Sequence, residues 1–159
     1  MIKSNLAAAP PVMTRVITTT LVAVSILATC FVGPAAAGTL LTLINGWTNA
    51  PFGTHVAAVE IVNGIVRFQG AMATSGTNSE PFVLPAGFRP TTNVYVPVDM
   101  CDATNGRMIV KPNGVVTVEA RTDFSNAQCF TSLDGGAFAK DANQFMPLTL
   151  LHGWANAQF

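Results

Sequence analysis

A serine, a histidine and an aspartate can share a proton relay, and Ser132, His55 and Asp134 supply the residue types for one. A triad is set by geometry rather than by chain order, so the sequence permits it without pointing to it. Its context points elsewhere. His55 stands in T54-H-V56 with neither a nucleophile elbow nor a second histidine at metal-ligand spacing, and a histidine in a surface loop is the simpler reading. Glycoside hydrolysis needs two carboxyl groups about 5–10 Å apart across a cleft. Glu60, Glu80, Asp99, Asp102, Glu119 and Asp123 supply carboxyls but no pattern that pairs them. Asp99, Asp102 and Asn105 in D99-M-C-D-A-T-N105 offer oxygen ligands at every third residue, which is not the EF-hand spacing. Asx side chains in such a turn bond their own backbone instead. Neither an enzyme, a metal site nor a cofactor is expected.

Recognition chemistry is better supplied. Trp47, Phe88 and Tyr95, with Phe52, could each present a flat ring to a sugar, and Arg89 could donate hydrogen bonds to one. The candidate ligand-binding set is therefore Tyr95, Trp47, Phe88 and Arg89, each with a structural alternative. Trp47 follows Gly46 and suits packing under a turn. Arg89, in F88-R-P90, suits fixing a turn through backbone carbonyls. Tyr95 lies opposite Val94, Val96 and Val98 in an alternating run, so it should face solvent.

Composition limits where such a site could work. The first 15 residues carry Lys3 and Arg15 and no acid, an apolar run spans 16–32, and Ala35 and Ala37 occupy the small-residue positions before Gly38. These are the three parts of a secretory signal peptide, with cleavage expected after Ala37. The apolar run is short for a span of ~30 Å of hydrocarbon, so the membrane is expected to matter only through this N-terminal segment. A minor alternative is lipidation at Cys30 in L27-A-T-C30. The remaining chain would carry a net charge of −2 and two cysteines, Cys101 and Cys129. Near-neutral charge gives no reason to expect a nucleic-acid partner. An even cysteine number in an exported chain predicts a Cys101–Cys129 disulfide, and the spacing does not fit zinc.

The elements that must position these residues read as β throughout. Short runs rich in Val, Ile and Phe are separated by Gly, Pro, Asn and Asp at intervals of roughly ten residues. The runs are 40–47, 56–62, 65–71, 82–84, 93–98, 107–110, 115–120, 129–133 and 137–139. Asn63-Gly64 predicts a tight hairpin, and K111-P-N-G114 a second one. Pro97 predicts an edge or a bulge in its strand. Val59, Ile61, Val66, Phe68, Leu84, Val94, Val96, Ile109, Val116, Val118 and Leu133 form the expected core. The expected fold is all-β, an antiparallel β-sandwich or jelly-roll of about eight or nine strands, with no helix after the signal peptide. L41-T-L-I-N-G-W-T-N-A-P-F52 returns as L148-T-L-L-H-G-W-A-N-A-Q-F159, identical at eight of twelve positions and 107 residues later. The expected organisation is thus a signal peptide over 1–37, one β-module over 38–147, and the first strand of a truncated second repeat over 148–159.

Three strings, taken in order, resemble one family. They are G46-W, then N63-G-I-V-R-F-Q-G70 with F82-V-L-P-A-G-F-R-P90, then K111-P-N-G-V-V with S132-L-D-G. Together they resemble the C-terminal β-domain of phage tail-fibre and baseplate-type proteins, a domain that also occurs in exported bacterial proteins, singly or in tandem. The likeness spans residues 45–138. It implies a β-sandwich for attachment or recognition, often of glycans and often trimeric in phage fibres, and it carries over no binding residues. The expected function is a secreted or cell-surface module for adhesion, with surface glycans or neighbouring repeats as partners. The alternative is a spacer repeat without its own ligand.

Overall fold

The computed structural model describes residues 38–141 and 145–155; the expected signal peptide, Cys30 and the last residues of the repeated string lie outside them. Ten short strands form two antiparallel sheets. β1 (Thr39–Leu40), β3 (Ala58–Val62), β4 (Ile65–Gln69) and β10 (Ala137–Ala139) make a four-stranded sheet in that order. The second sheet has six strands, ordered β2 (Trp47–Asn49), β5 (Ala71–Thr74), β9 (Thr131–Ser132), β6 (Val94–Met100), β7 (Thr104–Val110) and β8 (Val116–Ala120). This is the expected all-β sandwich, with every strand pair antiparallel.

The hairpins follow from their turn residues. Asn63 and Gly64 take φ of 51° and 79°, the paired positive values of a type I′ turn, and they set Val62 opposite Ile65. That register puts Val59 beside Phe68 and Ile61 beside Val66 on the inner face, and leaves Arg67 and Gln69 outside. In the second hairpin the Gly114 N–H donates to the Lys111 carbonyl at 2.8 Å and the Lys111 N–H to the Val115 carbonyl at 3.0 Å. Val110 then meets Val116, and Met108 meets Val118. All four are buried.

Two runs that alternate like single strands are divided between the sheets. The 40–47 run becomes β1 and the start of β2, joined through a turn at Asn45-Gly46. The 65–71 run breaks at Gly70, where φ is 91° and the chain leaves β4 for β5 in the other sheet. Gly70 donates its N–H to Asp134 Oδ1 at 2.8 Å, and its carbonyl accepts from Leu133 at 2.8 Å. Residues 82–84 make only a single bridge, Val83 to Val115, although Phe82 and Leu84 are both buried.

One helix, α1 (Phe124–Cys129), corrects the expectation of a helix-free module. Asp123 caps it by accepting the Ser125 N–H at 2.8 Å. The helix is six residues long, too short to show a period. It uses up the start of the expected 129–133 strand, which shrinks to β9. Cys129 at its C-terminus is joined to Cys101 after β6, with the Cα atoms 5.9 Å apart. The disulfide expected from the cysteine count is present.

The core lies between the sheets. Val59, Val66 and Phe68 join Val96, Val98, Met100, Met108, Val110, Val116 and Val118 in one cluster with Leu84 and Leu133, and the Phe82 and Phe138 rings pack on Phe68 at 6.3 and 5.9 Å. Ile61 and Val94 are only partly buried against this cluster. Ile109 is outside it: Met108 and Val110 point inward, so Ile109 stands opposite Tyr95 on the outer face. The run R107-M-I-V110 offers three apolar residues in a row, and only the hairpin register decides which of them is buried.

Candidate functional site

The outer face of β6, β7 and β8 is built by register. Because Tyr95 pairs with Ile109 and Ile109 with Thr117, these three form one row across the sheet. Pro97, Arg107 and Glu119 form the next. Asp99 pairs with Asn105 in a third, and Arg121 joins it through its N–H to the Asn105 carbonyl at 3.1 Å. The valines and methionines alternating with these residues are anchored in the core, so the backbone beneath the face is fixed.

Within this lattice the polar groups hold one another. Arg107 places its guanidinium 5.0 Å from the centroid of the Tyr95 ring and donates to Glu119 Oε2 through Nε at 2.7 Å and a terminal nitrogen at 2.7 Å. The side chains of Arg107 and Glu119 are 54% and 44% exposed, and Tyr95 as a whole residue 42%. A groove of about 430 Å³ opens beside them, bordered by Asn105, Gly106, Arg107, Glu119, Ala120 and Arg121. The guanidinium covers one face of the tyrosine ring. What the patch offers a ligand is therefore the tyrosine edge, planar donors on Arg107, acceptors on Glu119 and the Asn105 amide. Asp99 and Glu119 balance Arg107 and Arg121 in charge.

The other residues singled out from the sequence are placed apart from this face. Trp47 is 4% exposed, donates its indole N–H to the Asn78 carbonyl at 2.8 Å and meets the Phe124 ring edge-on at 6.4 Å. It is a core residue under the Asn45-Gly46 turn. Arg89 donates from Nε to the Leu84 carbonyl at 2.8 Å, and so fixes the loop it belongs to. Phe88 packs partly buried against the core. Phe52 is exposed and lies 6.0 Å from the Phe130 ring. Of the four candidate ligand-binding residues, Tyr95 alone stands on an open, polar face. Arg107 did not stand out in the sequence and Glu119 did so only as one of six unpaired carboxyls, yet the K111-P-N-G114 turn signalled their pairing: a hairpin closed there places them opposite each other on the face turned from the valines.

Ser132 and Asp134 have structural duties. Ser132 Oγ accepts the Asp134 N–H at 3.3 Å, and the Asp134 carboxylate accepts from Gly70. His55 is exposed, and its carbonyl accepts the Ala71 N–H at 3.1 Å. Among the described residues no three His, Cys, Asp or Glu side chains gather into a metal-binding group. Nor, among them, is any helix long and apolar enough to cross a membrane. The disulfide is a bond that persists in a non-reducing environment. Set against family models, curated proteins and solved structures, the chain matches none.

Proposed function

We propose that this chain is an exported, non-catalytic β-sandwich module that recognises a surface ligand, a glycan by its chemistry, through the outer face of β6–β8. One observation carries the reading: Arg107 is stacked on Tyr95 and clamped by Glu119 while Arg107 and Tyr95 stay exposed and the Glu119 side chain is open to solvent over nearly half its surface. An exposed ion pair adds only about 0–1 kcal/mol to stability. The arrangement is therefore worth little to the fold, and its effect is to present planar donors and acceptors to solvent in a fixed orientation. Balanced charge favours an uncharged polyhydroxylated ligand over a polyanion. Export is supported by the N-terminal pattern of basic start, apolar run and A35-A-A37, together with the disulfide. The resemblance to tail-fibre-type β-domains supports attachment as the role.

The test is a glycan array and whole-cell binding with the exported protein. Wild type should bind, and Tyr95→Ala and Arg107→Ala should each weaken binding by about tenfold or more with unfolding midpoints little changed. A wild type that binds no glycan and no cell surface would leave the second reading, a spacer module. That reading is favoured by the return of residues 41–48 at 148–155.

A further inference from the structure

Residues 148–155 repeat 41–48 at five of eight positions, and the fold shows what those positions do in the first copy. Leu41 and Trp47 are buried, Leu43 packs against the same core, and Gly46 supplies the turn that brings Trp47 inward. All four return, as Leu148, Leu150, Gly153 and Trp154, together with the exposed Thr42 as Thr149. The three differences, Ile44 to Leu151, Asn45 to His152 and Thr48 to Ala155, fall at exposed positions. What is repeated is chiefly the set of residues that fills a seat in the sandwich.

The second copy also has the shape of the first. Asn45 and Gly46 have φ of 55° and 81°; His152 and Gly153 have 54° and 81°. Trp47 donates its N–H to the Ile44 carbonyl at 3.1 Å, and Trp154 donates to Leu151 at 3.1 Å. Yet Trp154 is 79% exposed, and Leu148 and Leu151 lie in water beside it. The segment holds a formed turn and apolar side chains, and the structure contains a seat of matching shape.

We propose that residues 148–155 are an exchange arm that takes the place of residues 41–48 in a second copy of this chain. Trp154 then fills the Trp47 position beside Phe124 and donates to the Asn78 carbonyl. Leu148 gives its N–H to the Ala57 carbonyl, which Leu41 holds at 2.9 Å in the unexchanged molecule. The resident segment is joined to the sheets by short ladders, the Thr39–Val59 and Leu40–Ala58 pairs of β1 and three pairs of β2 with β5, and between them by bonds from the Ile44 N–H to the Pro81 carbonyl and from the Asn45 amide to the Glu80 carbonyl, each at 2.8 Å. The arm follows β10, at the edge of the four-stranded sheet opposite β1. Donor and acceptor are thus different surfaces, and the association is head-to-tail, giving rings or open rows rather than a two-fold dimer. It does not depend on the glycan reading.

Trp47→Phe in the full exported chain weakens the resident segment and leaves Trp154 as the single tryptophan. As concentration rises, its mass by light scattering should exceed one chain, Trp154 emission should shift to the blue, and iodide quenching should fall several-fold. Adding Leu148→Ala and Leu150→Ala should abolish all three changes. A second experiment leaves both tryptophans in place. Thr48 pairs with Ala73 in the resident register, so oxidising a mixture of Ala73→Cys and Ala155→Cys chains should give a cross-linked dimer, and Ala73→Cys with Phe145→Cys should not. A Trp47→Phe chain that stays single with exposed Trp154, or cross-linking no greater than in the Phe145→Cys mixture, overturns the proposal.

Discussion

At Gly70 the backbone turns from one sheet into the other with φ of 91°, and a Cβ there would collide with the carbonyls of His55 and Val56. Left-handed strain and overlap with fixed backbone then act together, so Gly70→Ala should cost about 3 kcal/mol or more. Urea denaturation would read this as a lower midpoint at an unchanged slope. Asp123 gives a gentler, pH-dependent case. The hydrogen bond from the Ser125 backbone N–H, helped by the Ser125 side chain, holds its carboxyl below the ordinary aspartate value. The folded state therefore favours the charged form. The stabilisation is complete above the unfolded value of about 3.9 and is lost as pH falls through the lower folded value. Asp123→Asn keeps a capping oxygen and cannot titrate. The stability difference between the two proteins should be flat above about pH 5 and change only below about pH 4, as unfolding curves across that range would show. Single residues were unevenly legible. Tyr95 could be placed outside by alternation alone, whereas the partners that orient it lie 12 and 24 residues further on and come into view only through strand register.

At the scale of elements, local chemistry made the hairpins readable, and its lack hid the rest. Asn63-Gly64 and K111-P-N-G114 each fix a turn and hence a register within a few residues. The division of 65–71 between two sheets has no such local cause. Alternation continues across Gly70, and the need for a glycine there comes from His55 and Val56, which tertiary structure alone brings near. Helix α1 is similar, since its six residues show one cap and no period. Its position is held at the far end by Cys129, bonded to Cys101 across 28 residues of chain. On the chain-entropy view, closing that loop removes about 3–4 kcal/mol of freedom from the unfolded state. Reduction, or the Cys101→Ser/Cys129→Ser pair, should lower the unfolding free energy by about that amount. The loss should appear in denaturation with and without reductant, and the double variant should no longer respond to reductant.

For the whole molecule, the question is which part of the sandwich opens first. β6 and β7 pair along seven residues and β7 and β8 along five, and their inner residues form the centre of the core. Residues 39–49 are built differently. They begin as an edge strand of one sheet, cross over, and end as an edge strand of the other, so they close one side of the sandwich with only short ladders at each end. Between those ladders they are held by the buried Leu41 and Trp47 and by bonds from Leu41 to Ala57, Ile44 to Pro81, the Asn45 amide to Glu80 and the Trp47 indole to Asn78. Such a strap can detach while the β6–β8 unit stays paired, because detaching it exposes two large side chains rather than the whole core. Native-state hydrogen exchange should then divide the amides into two groups. Those of Leu41, Ile44 and Ala50, which all bond across to other segments, should exchange through an opening well below the global unfolding free energy. Those of Met108, Val110 and Val118 should exchange only with global unfolding. Trp47→Phe, which gives up the bond to Asn78, should lower the first group by about 1–3 kcal/mol more than the second. Equal protection of both groups, or equal shifts on mutation, would mean that the strap unfolds with the sandwich as one unit.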